Sequence, residues 1–160
     1  MRQNLLEVEG LQTYFYNEQG IVYAVDDVSF DIQEAETLGV VGESGCGKSI
    51  TSLSIMNLVP KPRGKIEGGS IKYYGLGSEP TDITQLKRNG KEMRQLRGNE
   101  IAMIFQEPMT SLTPVYTIGE QIMEAILLHQ NVDKKEARRR TIEMLDNVGI
   151  AAPEQRVDEY

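Results

Sequence analysis

A glycine-rich stretch with one lysine and one serine carries the clearest chemical signal in the sequence. Residues 40–49 read VVGESGCGKS, in which Gly42, Gly47, Lys48 and Ser49 fit the pattern G-x-x-x-x-G-K-[ST]. Glycines let a tight turn bring backbone N–H groups against phosphate oxygens without an intervening side chain. A helix that starts after Gly47 would point its positive end at the same anion. The pattern therefore predicts a phosphate-binding loop.

The loop positions have distinct expected roles. Lys48 would reach the β- and γ-phosphates of a nucleotide, and the Ser49 hydroxyl would ligate Mg²⁺. The alternative is a glycine-rich turn before a helix that binds nothing. Cys46 is best interpreted as a small residue at a variable loop position, although a thiol at a helix N-terminus can also be redox-active. The expected nucleotide-binding residues are Gly42, Glu43, Ser44, Gly45, Cys46, Gly47, Lys48, Ser49 and Ile50.

Hydrophobic patterning predicts the elements that position this loop. Residues 5–16 alternate between apolar and polar and predict a strand, and 21–32 predict a second strand, antiparallel to the first if the turn at 17–20 closes. The apolar run at 37–41 predicts a buried strand that ends at the glycine loop. The segment 48–59 has a helical pattern that is stopped by prolines.

The remaining residues predict an edge hairpin, one more strand and two helices. Residues 64–74 predict a glycine-bounded edge hairpin, 75–99 a polar loop, and the apolar run 101–105 a short strand. One helix starts at Thr117, where Glu120 completes a capping box, and its expected apolar face is Ile118, Ile122, Ala125 and Ile126. A second helix starts near Asp133, ends at Gly149, and has the expected inward positions Ala137, Thr141, Met144, Leu145 and Val148.

Composition narrows the class of protein. The net charge of -7 argues against a nucleic-acid partner, and the single Cys46 suits a reducing compartment. No apolar run approaches the ~20 residues that span a bilayer. The basic stretches 61–65 and 134–140 are interpreted as solvated faces rather than phosphate or lipid sites, and His129 as a surface residue.

Three segments together resemble the ATP-binding subunit of an ABC transporter, and most closely the oligopeptide, dipeptide and nickel importers. They are GESGCGKS at 42–49, IAMIFQEPMTSLTP at 101–114 and TIGEQI at 117–122. The resemblance implies an α/β fold: a P-loop NTPase core of the ABC type with an N-terminal antiparallel β subdomain and the start of a helical subdomain. It also implies ATP and Mg²⁺ as cofactors.

The resemblance assigns roles to further residues and divides the chain. Gln106 corresponds to the Q-loop glutamine, which contacts Mg²⁺ and the attacking water, so Gln106 and Lys48 are the expected catalytic residues and Ser49 and Gln106 the metal contacts. Phe15 is the best match to the aromatic residue that stacks on adenine, with Tyr16 and Tyr23 as rivals. The expected parts of this partial nucleotide-binding domain (1–160) are the antiparallel β region at 1–36 and 64–75, the loop strand and helix at 37–60, the Q-loop strand at 100–107 and the helical subdomain at 117–160.

Several parts of the family's hydrolytic machinery are not found in the sequence. There is no L-S-G-G motif, no later catalytic histidine, and no apolar strand ending in Asp-Glu after the Q-loop. The run VYAVDD at 22–27 precedes the glycine loop, so its order excludes it. The chain is therefore expected to correspond to the first half of a subunit, to have an incomplete sheet, and not to turn over ATP by itself.

The resemblance implies a function for the full-length protein. It would energise peptide, dipeptide or nickel uptake through transmembrane permease subunits, paired with a second ATPase subunit of the same or another kind. It would lie peripherally on the cytoplasmic face of the inner membrane. The alternative is a non-catalytic nucleotide-binding or permease-interaction module. A phosphate-loop kinase or GTPase is disfavoured because the guanine-reading N-K-x-D motif is missing.

Overall fold

The structure forms two compact units, Met1–Met103 and Ile104–Tyr160, which are described separately. It is a computed structural model that describes residues 4–77, 79–106 and 111–160. The first unit contains β1 (Asn4–Asn17), β2 (Gly20–Gln33), α1 (Lys48–Ile55), β3 (Gly64–Tyr73), β4 (Thr81–Asp82), a 3₁₀ turn (Ile83–Gln85) and α2 (Lys91–Leu96). The second contains α3 (Ile118–His129), α4 (Lys134–Asn147) and α5 (Pro153–Arg156). No helix in the described part of the chain is long and apolar enough to cross a membrane.

The first unit is built on an antiparallel sheet with the strand order β2-β1-β3-β4. The predicted β1–β2 hairpin is confirmed, with Asn17 opposite Gly20 across a two-residue loop. The predicted hairpin at 64–74 is wrong, because this segment is one strand, β3, that pairs with both β1 and β4. Its glycine pair, Gly68 and Gly69, does not form a turn but lies where the backbone of β3 closely approaches the backbone of β1. A Cβ at Gly69, where φ is +84°, would lie 2.4 Å from the Gly10 carbonyl oxygen.

A bulge in β1 changes which residues face the core. Leu6 and Val8 are buried before the bulge, whereas Leu11 and Thr13 are buried after it. The β1–β2 register shifts between Val8 and Leu11, with Gly10 at a φ of +55°. Because side chains alternate with a period of two, one extra residue moves the buried set from even to odd positions. Because of the bulge, the residues of β1 on both sides of it can point side chains into the same core.

A short segment predicted as polar loop supplies part of the core. Ile83, Met93 and Leu96 are almost completely buried and pack with apolar residues of β1, β2 and β3. The prediction of a loop over 75–99 was wrong because these apolar residues are few and widely spaced. Their burial comes from packing against the sheet rather than from a local periodic pattern.

Two apolar segments predicted as strands do not form strands. Residues 37–41 have no regular secondary structure and are exposed, with Val41 at 93%. In the segment 101–105, only Ile101 makes an isolated bridge, to Arg97, and Ile104 is 96% exposed. Isolated strands leave their N–H and C=O groups unpaired, so they need a neighbouring strand. No such neighbour occurs in the described ranges.

Helix α1 is held against the sheet by two buried hydroxyls. The Oγ1 of Thr13 on β1 and the Oγ of Ser54 on α1 lie 2.8 Å apart, and both residues are fully buried. Ser54 Oγ donates to the Ile50 carbonyl at 2.7 Å, so the Thr13 hydroxyl is the donor to Ser54. The helix is shorter than predicted: it ends at Ile55 rather than near Val59, and Asn57 then takes a φ of +49°.

Replacing Ser54 with alanine is expected to destabilise the fold by about 1–3 kcal/mol, because the buried Thr13 hydroxyl loses its acceptor. Adding Thr13→Val should recover most of this loss, since both polar groups are then gone. Chemical denaturation of both variants would measure the effect. Ser52→Ala is the control, because Ser52 is exposed on the same helix. The pairing would be contradicted if the losses in free energy of unfolding of Ser54→Ala alone and Thr13→Val alone summed to the loss of the double variant.

The second unit confirms both predicted helix starts. The Thr117 hydroxyl accepts from the Glu120 amide and the Glu120 carboxylate from the Thr117 amide, which completes the capping box of α3. The Asp133 side chain caps α4 by accepting from the Glu136 amide at 2.8 Å. Helix α4 ends just before Gly149, as predicted. Gly149 takes a φ of +78°, a left-handed conformation that glycine adopts readily after a helix.

The buried faces of these helices are narrower than predicted. Ala137, Thr141 and Leu145 of α4 are buried as predicted, and Ile126 is the predicted α3 residue that is buried. The predictions for Ala125, Met144 and Val148 were wrong, because these residues are exposed. The chain after α5 closes the unit, since its fully buried Val157 accepts a 2.8 Å hydrogen bond from the Gly119 amide.

Candidate functional site

The glycine loop leads directly into the N-terminus of α1. The helix begins at Lys48, its N-cap is Gly47, and no side chain caps it. The first amides of a helix have no partner within the helix, and they carry the positive end of its dipole. An uncapped N-terminus that follows a glycine loop is therefore suited to bind an anion.

The side chain of Lys48 lies over the loop. Its Nζ donates to the Gly42 carbonyl at 2.6 Å and to the Glu43 carbonyl at 2.7 Å, and it lies 3.5 Å from Cys46 Sγ. The ammonium group is thus held beside the loop backbone. The structure brings together four of the predicted nucleotide-binding residues.

Gly47 is required by its conformation and by its neighbour. It adopts a φ of +94°, and a Cβ there would lie 2.3 Å from the carbonyl oxygen of Ala24 on β2. The loop therefore rests directly on the backbone of β2. Tyr23 immediately precedes Ala24, the β2 residue on which the loop rests.

The other loop residues differ in exposure. Ser44, Gly45, Cys46 and Ser49 are exposed, so the Ser49 hydroxyl in the first turn of α1 is accessible. The side chain of Ile50 packs against the core of the first unit, which leaves only its backbone for a binding role.

The candidate adenine-stacking aromatics lie in different surroundings. Tyr23 is 60% exposed, and its ring meets that of Tyr14 edge-on, with centroids 4.6 Å apart. Phe15 is half-buried, and its ring approaches Gly64 at the start of β3. The hydroxyl of Tyr16 donates to Glu67 at 2.6 Å, and this bond raises the pKa of Tyr16. Tyr23 is therefore the most exposed of the three side chains, and which of them stacks on adenine stays a prediction.

Tyr14 is a neighbour of Tyr23 that the sequence pattern does not single out. Its hydroxyl donates to Asp26 Oδ1 at 2.8 Å, and this hydrogen bond raises the pKa of Tyr14 to about 12. It faces Tyr23 in the β1–β2 register, so it buttresses the exposed ring. The hairpin register, known only from the structure, was needed to pair them.

Gln106 belongs to the second unit, and the glycine loop belongs to the first. Gln106 is exposed and lies in a bend after the apolar run 104–105. Over the described residues 100–106 the predicted Q-loop strand does not form, and residue 107 lies outside the described residues. The contact of Gln106 with Mg²⁺ and water stays a prediction.

The fold is similar to known ATPase structures. One is the dimeric post-hydrolysis state of the ATP-binding cassette MJ0796 bound to ADP and Pi, with a TM-score of 0.77 and 20% identity over 97% of this chain and 61% of that chain. A second dimeric structure of MJ0796, described as a bacterial ABC transporter cassette, matches with the same values. The chain therefore has the fold of an ABC-type P-loop ATPase cassette.

The sequence comparisons give the family. The ABC transporter family model matches residues 25–160, and the chain belongs to this family. It is 53% identical over 156 residues to the oligopeptide transport ATP-binding protein AppD of Bacillus subtilis. It is 47% identical to the probable peptide ABC transporter ATP-binding protein y4tR of Sinorhizobium fredii. The matches cover 98% of this chain but only 45% and 44% of those proteins.

Proposed function

We propose that this chain binds ATP with Mg²⁺ at residues 42–49 and is the nucleotide-binding part of a peptide-importing ABC transporter. The observation that carries the proposal is the position of Lys48, whose Nζ lies 2.6 and 2.7 Å from two loop carbonyls at the uncapped start of α1. A lysine, loop amides and a helix N-terminus that converge in this way suit a triphosphate. The peptide-transport names of the relatives support the choice of transporter.

The residues of the loop would divide the work of binding. The amides of 43–48 and the Lys48 ammonium would hold the phosphate oxygens, and the exposed Ser49 hydroxyl would ligate Mg²⁺. Bound Mg²⁺ would neutralise part of the phosphate charge. Gln106 would contact the metal and the attacking water, and Tyr23 or Phe15 would stack on adenine.

The wider role is proposed for the whole protein, since the chain spans less than half the length of these relatives. Two such subunits would bind ATP and drive a transmembrane permease from the cytoplasmic face of the inner membrane. The dimeric cassette structures with the same fold support a paired arrangement. The transported peptide would be selected by the permease and its binding protein.

Calorimetric titration with ATP tests the proposal. We expect saturable binding that weakens when EDTA removes Mg²⁺, and much weaker binding of AMP, which lacks the β- and γ-phosphates that the loop contacts. A phosphate-release assay on the same sample should show no turnover by the 160-residue chain. If the folded chain gave no response to saturating ATP, the proposal would fail; if it released phosphate steadily, the non-catalytic expectation would be wrong.

A further inference from the structure

A pocket lies at the other end of α1 from the glycine loop. This open pocket of about 300 Å³ is lined by residues that follow α1 and by residues 84–88, including Asn57, Lys61 and Arg88. Its volume is at the lower limit for pockets that hold small ligands. Helix α1 separates this pocket from the glycine loop, because the loop precedes its first residue and Asn57 follows its C-cap.

The lining of this pocket, called here the basic pocket, is strongly cationic. It includes Lys61, Lys65, Lys87 and Arg88 and no carboxylate, although the net charge of the chain is -7. Lys65 is paired with Glu67 at 2.8 Å. For the other three cations, no carboxylate of the described residues lies within 4.0 Å. Three positively charged residues without a paired carboxylate therefore line one pocket.

The walls of the basic pocket are tied together by guanidinium groups. Arg97 donates to the carbonyls of Met56 at 2.8 Å, Asn57 at 2.9 Å and Arg88 at 3.0 Å. Arg88 in turn donates to the Val59 carbonyl at 3.1 Å. These bonds join the segment after α1 to the segment after the 3₁₀ turn, so the pocket is formed before any ligand arrives.

The charged form of Arg97, which ties the pocket walls together, is disfavoured by its surroundings. Burial and the neighbouring Arg88 lower the pKa of the Arg97 guanidinium, because both disfavour its charged form. An anion in the pocket would offset this repulsion. The stretch 61–65 is interpreted from the sequence as a solvated face, but its residues Lys61, Gly64 and Lys65 line the same pocket as Lys87 and Arg88.

We propose that the basic pocket binds a phosphate-bearing anion, independently of nucleotide binding at 42–49. A phosphate dianion suits a pocket that is lined by several lysines and an arginine. Thr84 also lines the pocket, and its hydroxyl donates to Asp82 Oδ1 at 2.8 Å. The phosphate would come from a lipid headgroup or from a free phosphate compound.

Amide-resolved NMR with inorganic pyrophosphate tests the site directly. We expect saturable shifts at 61–65 and 84–88, with a binding curve separate from that of 42–49. The double variant Lys61→Ala/Lys87→Ala should weaken binding at the basic pocket at least tenfold and leave the 42–49 curve unchanged. Lys134→Ala/Lys135→Ala removes the same charge from α4 and should change neither curve.

Three results would overturn the inference: no saturable shift at the pocket, equal weakening by both double variants, or equal shifts with sodium chloride at matched ionic strength. Because the two regions are observed separately, a failure at 42–49 counts against nucleotide binding alone. Sedimentation with phosphatidylcholine vesicles, with and without phosphatidylglycerol, separates the two sources. If the protein binds anionic vesicles and the double variant Lys61→Ala/Lys87→Ala lowers that binding, the phosphate comes from a lipid headgroup. If the protein binds pyrophosphate but no vesicles, the phosphate comes from a free compound.

Discussion

Replacing Lys48 with alanine is expected to weaken ATP binding by roughly ten- to a hundredfold. The Lys48 ammonium is the cation held over the loop, and a hydrogen bond from a charged group contributes about 1.5–3 kcal/mol. Each ~1.4 kcal/mol corresponds to a tenfold change in affinity. The loss should be largest for ATP and smallest for AMP, because the lysine is expected to contact the terminal phosphates. Calorimetric titration of both nucleotides would measure this.

The matched control for Lys48 is Lys135→Ala, which removes one exposed positive charge from α4. It should leave ATP affinity unchanged. Circular dichroism would show whether each variant is folded. An unchanged affinity in a folded Lys48→Ala protein would contradict the assignment of the loop as the triphosphate site.

Replacing Gly47 with alanine is expected to damage both the fold and the binding site. A left-handed conformation costs a residue with a Cβ about 1–2 kcal/mol. The new Cβ would also lie 2.3 Å from the Ala24 carbonyl oxygen, which belongs to strand backbone and cannot rotate away. Such overpacking adds about 1–3 kcal/mol. Because β2 supports the loop, relief of the clash would displace the start of α1 and weaken ATP binding.

Gly45→Ala separates the two causes of this loss. Gly45 also has a positive φ, +84°, but nothing lies within 4 Å of a Cβ placed there. Urea denaturation should therefore show that Gly47→Ala loses distinctly more stability than Gly45→Ala. Equal losses would mean that conformational strain alone accounts for Gly47, and that the contact with Ala24 does not position the loop.

The features predicted correctly from the sequence depend on residues close together in the chain. Helix α1 begins after the glycine loop, the β1–β2 hairpin closes through its Asn17–Gly20 turn, and α3 and α4 begin at their capping residues. In each case, the side chains that determine the structure lie within about four residues of the backbone they act on. Short-range chemistry of this kind can be read without knowledge of the fold.

The features that were missed depend on residues far apart in the chain. The central place of β3, the burial of Ile83 and Leu96, and the convergence of residues 61–65 with 84–88 all come from packing on the sheet. The apolar run at 37–41 has strand composition, but a strand forms only where a neighbour supplies hydrogen bonds.

The sequence by itself thus determined the family, the position of the glycine loop and the local starts of the helices. Only the tertiary structure decided that Lys48 lies over the Gly42 and Glu43 carbonyls, that Gly47 rests on Ala24, and that a second cationic pocket exists. The physical reason is that these arrangements depend on backbone segments brought together by the sheet. No local pattern of side chains records which distant segments will meet.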